Sequence, residues 1–421
     1  MIAKINSTLG PTLNNKWVRR FTSPSRFFII AAVVLIIISF VREISGADDI
    51  TSAGASGATL RFTVPLLMAG LGGLWSERAG VINIGLEGMM IAGTWLGAWF
   101  GFLYGPWTGL LAAAIGGSFI GLFHAFLTVK VGIDQAVSGL AINLLAMGTC
   151  RYLSGVYFVT NGGDINVSPQ SMQPATFTVP GLSSALIKLE QTGIFFISDV
   201  AGIAAGLVTQ LSYVTVICLL CVPITGWILW RTRFGLRMRF SGENPVAAES
   251  LGVNVYRTRF IALAVSGALA SVGGAYLALV ASNVYREGQT AGRGFIGLAT
   301  VIFGNWRPSG VFAGSLLFGF TDALRVRQST SVHAVILVVA FLGMAFAVTL
   351  ALKKKWRTFV ITSALSGLAA LIYIQVKVIP DEFVTFFPNL TTILVLTFLS
   401  QRLRPPAMAG APYRKGEEIS V

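Results

Sequence analysis

Apolar runs about as long as a bilayer is thick recur along the whole chain, and they leave few folds open to it. A helix needs about 20 residues to cross the hydrocarbon core. Runs near that size lie at roughly 27–44, 60–76, 80–104, 106–129, 131–150, 211–230, 260–281, 293–306, 308–325, 332–350, 358–378 and 383–400. In lipid every backbone N–H and C=O needs an internal partner, so such a chain is expected to fold as an all-α polytopic bundle. Composition agrees: 54% of the 421 residues are hydrophobic and 11% are charged, against about 25% charged in a soluble domain. Two runs are irregular. The one at 293–306 is short for an untilted crossing, and the one at 131–150 contains Asp134 and Gln135.

A net charge of +14 invites a nucleic-acid reading, but the positions of the cations favour another. Lys and Arg mark the cytoplasmic side of membrane proteins. One cluster is Lys16, Arg19, Arg20 and Arg26; a second is Arg231, Arg233, Arg237, Arg239, Arg257 and Arg259. Lys353, Lys354, Lys355 and Arg357 form a third, and Arg402, Arg404, Arg414 and Lys415 a fourth. The apolar runs between successive clusters number six, four and two. Every interval is even, so all four clusters can face the cytoplasm, giving about twelve crossings with both termini inside. The organisation expected is a cytoplasmic extension over 1–26, a transmembrane domain over 27–400 and a cytoplasmic tail over 401–421, with no nucleic-acid partner. Arg42 and Glu43 follow the first run and no A-x-A site is evident, which favours a retained anchor over a cleaved signal.

Chemistry-bearing clusters are scarce. Cys218 and Cys221 form a C-x-x-C inside the apolar run VICLLCVPI, without a second pair or a His partner, which reads as packing rather than metal or redox chemistry. His124 and His333 are isolated in apolar surroundings and read as structural. The longest polar connection, 151–193, contains the turn-rich NGGDINVSPQSMQP and then SSALIKLE, the pattern of a short amphipathic surface helix. Its length suits an external docking surface. Gly93, Gly97, Gly101 and Gly105 are spaced by four, as are Gly117 and Gly121. Small residues at this spacing let helix backbones approach closely in a bilayer.

One water-compatible helix signal interrupts the membrane pattern: SGENPVAAESLGVNVY, residues 241–256. Asn244 is a favoured N-cap, Pro245 suits the first helical position, and Gly252 can take the left-handed C-terminal conformation. About two turns of helix are specified, too short to be stable alone. Ala247 and Ala248 are expected to form a small exposed face that fits a partner. Asn244, Pro245, Ala247, Ala248, Glu249, Leu251 and Gly252 are thus candidate docking residues.

At this point the sequence resembles a known family. RFGLRMRFSGENPVAAESLGVNVYRTRFIALAVSGALASVGG is similar to the coupling-helix region of permease subunits of bacterial ABC importers, in the branch that includes ribose and branched-chain amino acid permeases. SERAGVINIGLEGMM at 76–90 resembles the nucleoside-type permeases, those paired with basic-membrane-lipoprotein binding proteins. VSGLAINLLAMG at 137–148, TAGRGFIGLATVIFGNWRPSG at 290–310 and RPPAMAGAPYRKGEE at 404–418 extend the match. One departure stands out: residues 330–378 intervene before the final helix, as an expected helical hairpin inserted into a ten-helix core, which preserves the parity.

The resemblance implies a mechanism. Two permease subunits, identical or homologous, form a pathway for nucleosides or related sugar-containing solutes in the bacterial inner membrane. Two ATPase subunits grip the coupling helices, and an extracytoplasmic substrate-binding lipoprotein delivers the solute. This chain carries no G-x-x-x-x-G-K-[ST] phosphate loop, so ATP and Mg are expected on the ATPase subunits and no cofactor on this chain. For the pathway, Glu87 lies four residues beyond Asn83, a spacing that puts both on one helix face. A carboxylate in a spanning segment costs about 2.5–3.5 kcal/mol, so it faces a cavity or a partner. Either Glu87 lines the pathway, or it pairs with Arg78 or sits near an interface. AGVINIG before it can break the helix and expose backbone to the pathway. Asn143 is a further candidate contact, and Arg293 reads as an interfacial anchor. The main alternative is an ion-coupled secondary transporter of small polar solutes, which would also use polar residues at mid-membrane but would not need the loop helix. A membrane enzyme would call for clustered acidic or His residues at one membrane face, which are not evident.

Overall fold

Periodic apolar segments bounded by Gly, Pro and capping residues become fifteen helices in the computed structural model, which describes residues 24–324, 329–376 and 403–414. They are α1 (Pro24–Ser45), α2 (Ala53–Arg78), α3 (Leu86–Tyr104), α4 (Pro106–Ala125), α5 (Gln135–Tyr157), α6 (Leu182–Glu190), α7 (Ile197–Gly206) and α8 (Tyr213–Arg231). Then come α9 (Arg233–Glu243), α10 (Pro245–Ser250), α11 (Val255–Tyr276), α12 (Arg293–Phe303), α13 (Pro308–Leu324), α14 (Ser329–Leu352) and α15 (Trp356–Gln375). The sheet content described is one antiparallel pair, Thr176–Phe177 with Leu211–Ser212. Seven of the described helices are long and apolar enough to cross a membrane, and the chain is a polytopic helical membrane protein. The run at 383–400, most of the extension over 1–26 and the tail beyond 414 lie outside the described residues.

Two compact units divide the chain. The smaller takes in residues 24–52, 186–203 and 329–376 of those described. Within it, α14 and α15 form a helical pair joined at Lys353–Lys355, and α1 packs on α14. His333 stacks on Tyr373 with ring centroids 4.2 Å apart. Arg42, only 8% exposed, donates to Asp199 at 3.0 Å and to Ser198 at 2.7 Å, so the cation after the first apolar run is neutralised inside its own unit.

The larger unit, residues 53–185, 204–324 and 403–414, is built around α11, against which α2, α3 and α4 pack. Glycine sets the spacing. A Cβ on Gly117 would lie 2.3 Å from the carbonyl oxygen of Gly267, and one on Gly267 would lie 2.1 Å from that of Gly117. Gly93 meets Ser271 and Gly97 meets Ala275 in the same way. The stripe stops at Gly101, because Gly105 is the left-handed break (φ +94°) between α3 and Pro106 at the start of α4. Helix α12, with 11 residues, is shorter than the run that encodes it, since Asn305 and Trp306 both take positive φ. The isolated side chains serve packing: His124 is buried with its Nδ1 2.9 Å from Ser138 Oγ, and Cys218 packs with Val64, Met68 and Tyr276.

Overpacking such a contact costs about 1–3 kcal/mol. Gly267→Ala should therefore lower the melting temperature of the detergent-purified protein. Gly148→Ala, on a helix face with nothing within 4 Å of the added carbon, should leave it unchanged or raised. Equal melting temperatures for the two variants would contradict the close α4–α11 contact.

Candidate functional site

The segment AGVINIG does break the helix. Helix α2 ends at Arg78, Gly80 turns the chain at φ +92°, and α3 begins only at Leu86. Unwound backbone in a bilayer needs partners, and α5 supplies them from one face. Gln135 accepts from Ile82 N at 2.7 Å. Asn143 accepts from Gly88 N at 2.7 Å and donates to the Ile84 carbonyl at 3.1 Å. Gly139, midway between them, lets the backbones touch, since a Cβ there would sit 2.8 Å from Gly85 N. Gln135, Gly139 and Asn143 thus form a stripe at a spacing of four that braces the break.

Across the break, Glu87 occupies the first turn of α3 and reaches the start of α12. Its Oε1 accepts from Gly292 N at 3.0 Å and its Oε2 from Gly294 N at 2.6 Å. One carboxylate therefore serves two helix N-termini, each of which favours negative charge. It does not pair with Arg78, which donates to the Trp306 carbonyl at 2.7 Å and lies 3.7 Å from Glu243. Nor is Arg293 an interfacial anchor. It is buried, 2.5 Å from Asp322 at the end of α13, with Nη1 on the Gln289 carbonyl. Positive φ at Ala291 (46°) and Gly292 (78°) turns the chain into α12.

A cavity of about 600 Å³ opens beside this junction, lined by Glu87, Asn143, Leu140, Met147, Tyr285 and Phe295 among others. Two of the three pathway candidates thus share one cavity. Asn83 does not join them. It lies in the unwound segment before α3, so the helical spacing to Glu87 is not realised, and it is fully buried with its amide 2.9 Å from Ser266 Oγ. Ser266 and Asp322 are structural partners that local pattern did not single out, and Gln135 and Arg293, visible in the sequence, take partners that it did not foresee. Gln135 lies two steps of four before Asn143, on the same face of α5.

At this same end of α2, against Arg78 and Gly80, lies the loop 231–259. Helix α9 is braced by Arg239, which donates to the Leu229 carbonyl at 2.9 Å, and Trp230 is flanked by Arg78 and Arg239, each 5.3 Å from its ring centroid. Helix α10 follows with Asn244 as its N-cap, accepting from Ala247 N at 3.0 Å, and Pro245 at its first position. Gly252 closes it at φ +79°. The expected exposed alanine face is absent, however. Ala248 is fully buried against Val255 and Tyr413, and Pro245 is buried too. The apolar residue that does project is Leu251, 75% exposed. Glu249 is hydrogen-bonded to the Tyr413 hydroxyl, where desolvation and the neighbouring carboxylate raise the phenol's pKa.

A helical membrane bundle whose interrupted helices meet at a polar junction beside a cavity is the architecture of a transport permease. The chain belongs to the family of branched-chain amino acid transport system permease components, whose profile matches residues 57–351. It is the membrane-spanning permease subunit of an ABC transport system. It is 32% identical over 367 residues to the guanosine ABC transporter permease protein NupQ of Bacillus subtilis, covering 86% of this chain and 96% of that one. It is 34% identical over 311 residues to the nucleoside ABC transporter permease protein NupC of Lactococcus lactis, covering 68% and 92%. The glucose ABC transporter permease protein TsgB13 of Haloferax volcanii shares 24% over 319 residues, covering 74% and 80%. No solved structure matches the chain.

Leaving a buried N–H unpaired costs about 1–3 kcal/mol. Glu87→Ala, which strands Gly292 N and Gly294 N, should melt well below wild type, with Glu87→Gln between the two because its amide oxygen can still accept. An alanine variant as stable as wild type would show that the carboxylate does not hold the junction.

Proposed function

We propose that this chain forms the translocation pathway of an importer for nucleosides or related sugar-containing solutes in the bacterial inner membrane. It works with a second permease subunit, two ATPase subunits that bind ATP and Mg, and an extracytoplasmic binding lipoprotein. The named activities of NupQ and NupC support the nucleoside class, and TsgB13 supports the sugar alternative. In this reading the loop 231–259, Lys353–Lys355 and both termini face the cytoplasm, in keeping with their cations. The solute passes the Glu87–Asn143 cavity. Both Glu87 oxygens already accept backbone N–H groups, so Glu87 acts as a positioning residue that orients α12, and the apolar wall of the cavity meets the base or ring.

The observation that carries this reading is helix α10 with Leu251 beside it: short, capped at both ends, seated on its own subunit through Ala248, and presenting an exposed leucine. An apolar knob on a braced surface fits a groove in a motor subunit. Closure of two ATPases on ATP would draw the paired α10 helices together and rock the bundles between outward and inward access.

Burying a leucine contributes about 1.5–3 kcal/mol. Leu251→Asp should therefore weaken ATPase co-purification by about tenfold or more and abolish ATP-driven uptake, while the melting temperature of the permease alone stays at the wild-type value. Full assembly and transport by this variant would remove α10 as the contact. Ala248→Trp is a poor probe, since it would disrupt the permease's own core.

A further inference from the structure

The segment Leu403–Arg414 makes contacts that a trailing tail does not need. Arg404 N donates to Asn305 Oδ1 at 2.8 Å, at the corner between α12 and α13. Ala407 N donates to Glu243 Oε2 at 3.1 Å and Met408 N to the Gly242 carbonyl at 3.0 Å, both at the end of α9. Gly410 N reaches the Gly80 carbonyl at 3.3 Å, and Gly410, at φ +83°, lies so close to Ile82 that a Cβ would be 2.9 Å from its Cδ1. Tyr413 then packs on Ala248, hydrogen-bonds Glu249 of α10 and stacks near Tyr256 with centroids 5.7 Å apart. Twelve residues thus join the docking helix, the unwound break before Glu87 and the corner after α12.

Beneath Tyr413 lies Arg259, at the root of α11. It is 2% exposed, and its Nε and Nη2 have no hydrogen-bond partner among the described residues. What it has is the Tyr413 ring, 5.5 Å from its guanidinium carbon, and Gly80, where a Cβ would lie 2.9 Å from Nη2. A desolvated cation is attracted to an aromatic face, while its bare N–H groups remain costly. The Tyr413 ring is therefore the cover on which a buried cation at the root of α11 depends.

We propose that residues 403–414 act as a transmission strap, with Tyr413 as the positioning residue that links α10 to the α2–α3 break. The inference rests on α10 being the ATPase contact. Movement of α10 pulls Tyr413 through Glu249, and the strap passes that movement through Gly410 to Gly80 and Ile82. Ile82 is hydrogen-bonded to Gln135 and lies five residues from Glu87, so the displacement arrives at the junction that borders the cavity.

The test uses the full transporter in proteoliposomes and reads three quantities: ATPase co-purification, ATP hydrolysis and solute taken up per ATP. Tyr413→Phe keeps the ring over Arg259 but loses the bond to Glu249. Tyr413→Ala loses both. Gly410→Val disturbs only the other end of the strap, against Ile82. The expected result is retained co-purification and hydrolysis in all three, with uptake per ATP falling about tenfold in Tyr413→Ala and Gly410→Val and less in Tyr413→Phe. Wild-type uptake per ATP in either Tyr413→Ala or Gly410→Val would overturn the strap. Loss of co-purification in Tyr413→Ala would also overturn it, making the segment part of the docking surface. Failure of the wild-type chain to bind an ATPase at all would instead remove the functional reading beneath it.

Discussion

The structure depends on one carboxylate shared between two helix starts. Glu87 lies in the first turn of α3 and accepts the two N–H groups that open α12. Without it, the strained turn at Ala291 and Gly292 would present bare donors inside a bilayer, where no water replaces a lost partner. With it, two interrupted helices meet end to end, and a cavity can form beside them. The α5 stripe of Gln135, Gly139 and Asn143 completes the arrangement from the other side. Glu87, Gln135 and Asn143 are thus spent on backbone, and they hold the break from both sides.

That junction is mechanically connected, through the adjoining end of α2, to the loop 231–259. Arg78 and Glu77 both bond Trp306, through its carbonyl and its indole N–H, so the end of α2 and the corner after α12 are one piece. The same Arg78 stacks on Trp230 beside Arg239, which binds α9 to that piece. A push on the loop 231–259 therefore meets a stiff frame rather than a flexible connector. Close-packed elements of this kind transmit a displacement rather than absorb it.

Local signals in the sequence carried the elements well and the contacts poorly. The Asn244 cap, Pro245, the Gly252 stop and the break at AGVINIG are short-range chemistry, and each took its expected conformation. The Gly93, Gly97 and Gly117 contacts follow from spacing alone. Asn83 was misplaced because a helical period was extended through a segment that is unwound. Ala248 looked exposed because its cover, Tyr413, lies 165 residues further along the chain. Arg293 sits at the edge of an apolar run, and only the fold brings Asp322 to it. Long-range pairing has no local signature, so the residues that close the site, Gln135 and Ser266 among them, were the least legible.

The central claim is that this bundle moves solute only when an ATPase works on it. The direct measurement is uptake of labelled guanosine into proteoliposomes, with the binding protein on one side and Mg-ATP on the side of the loop 231–259. Accumulation that requires both the ATPase subunits and ATP is the result expected. Accumulation by the chain without ATPase subunits, driven by a proton or sodium gradient, would contradict it.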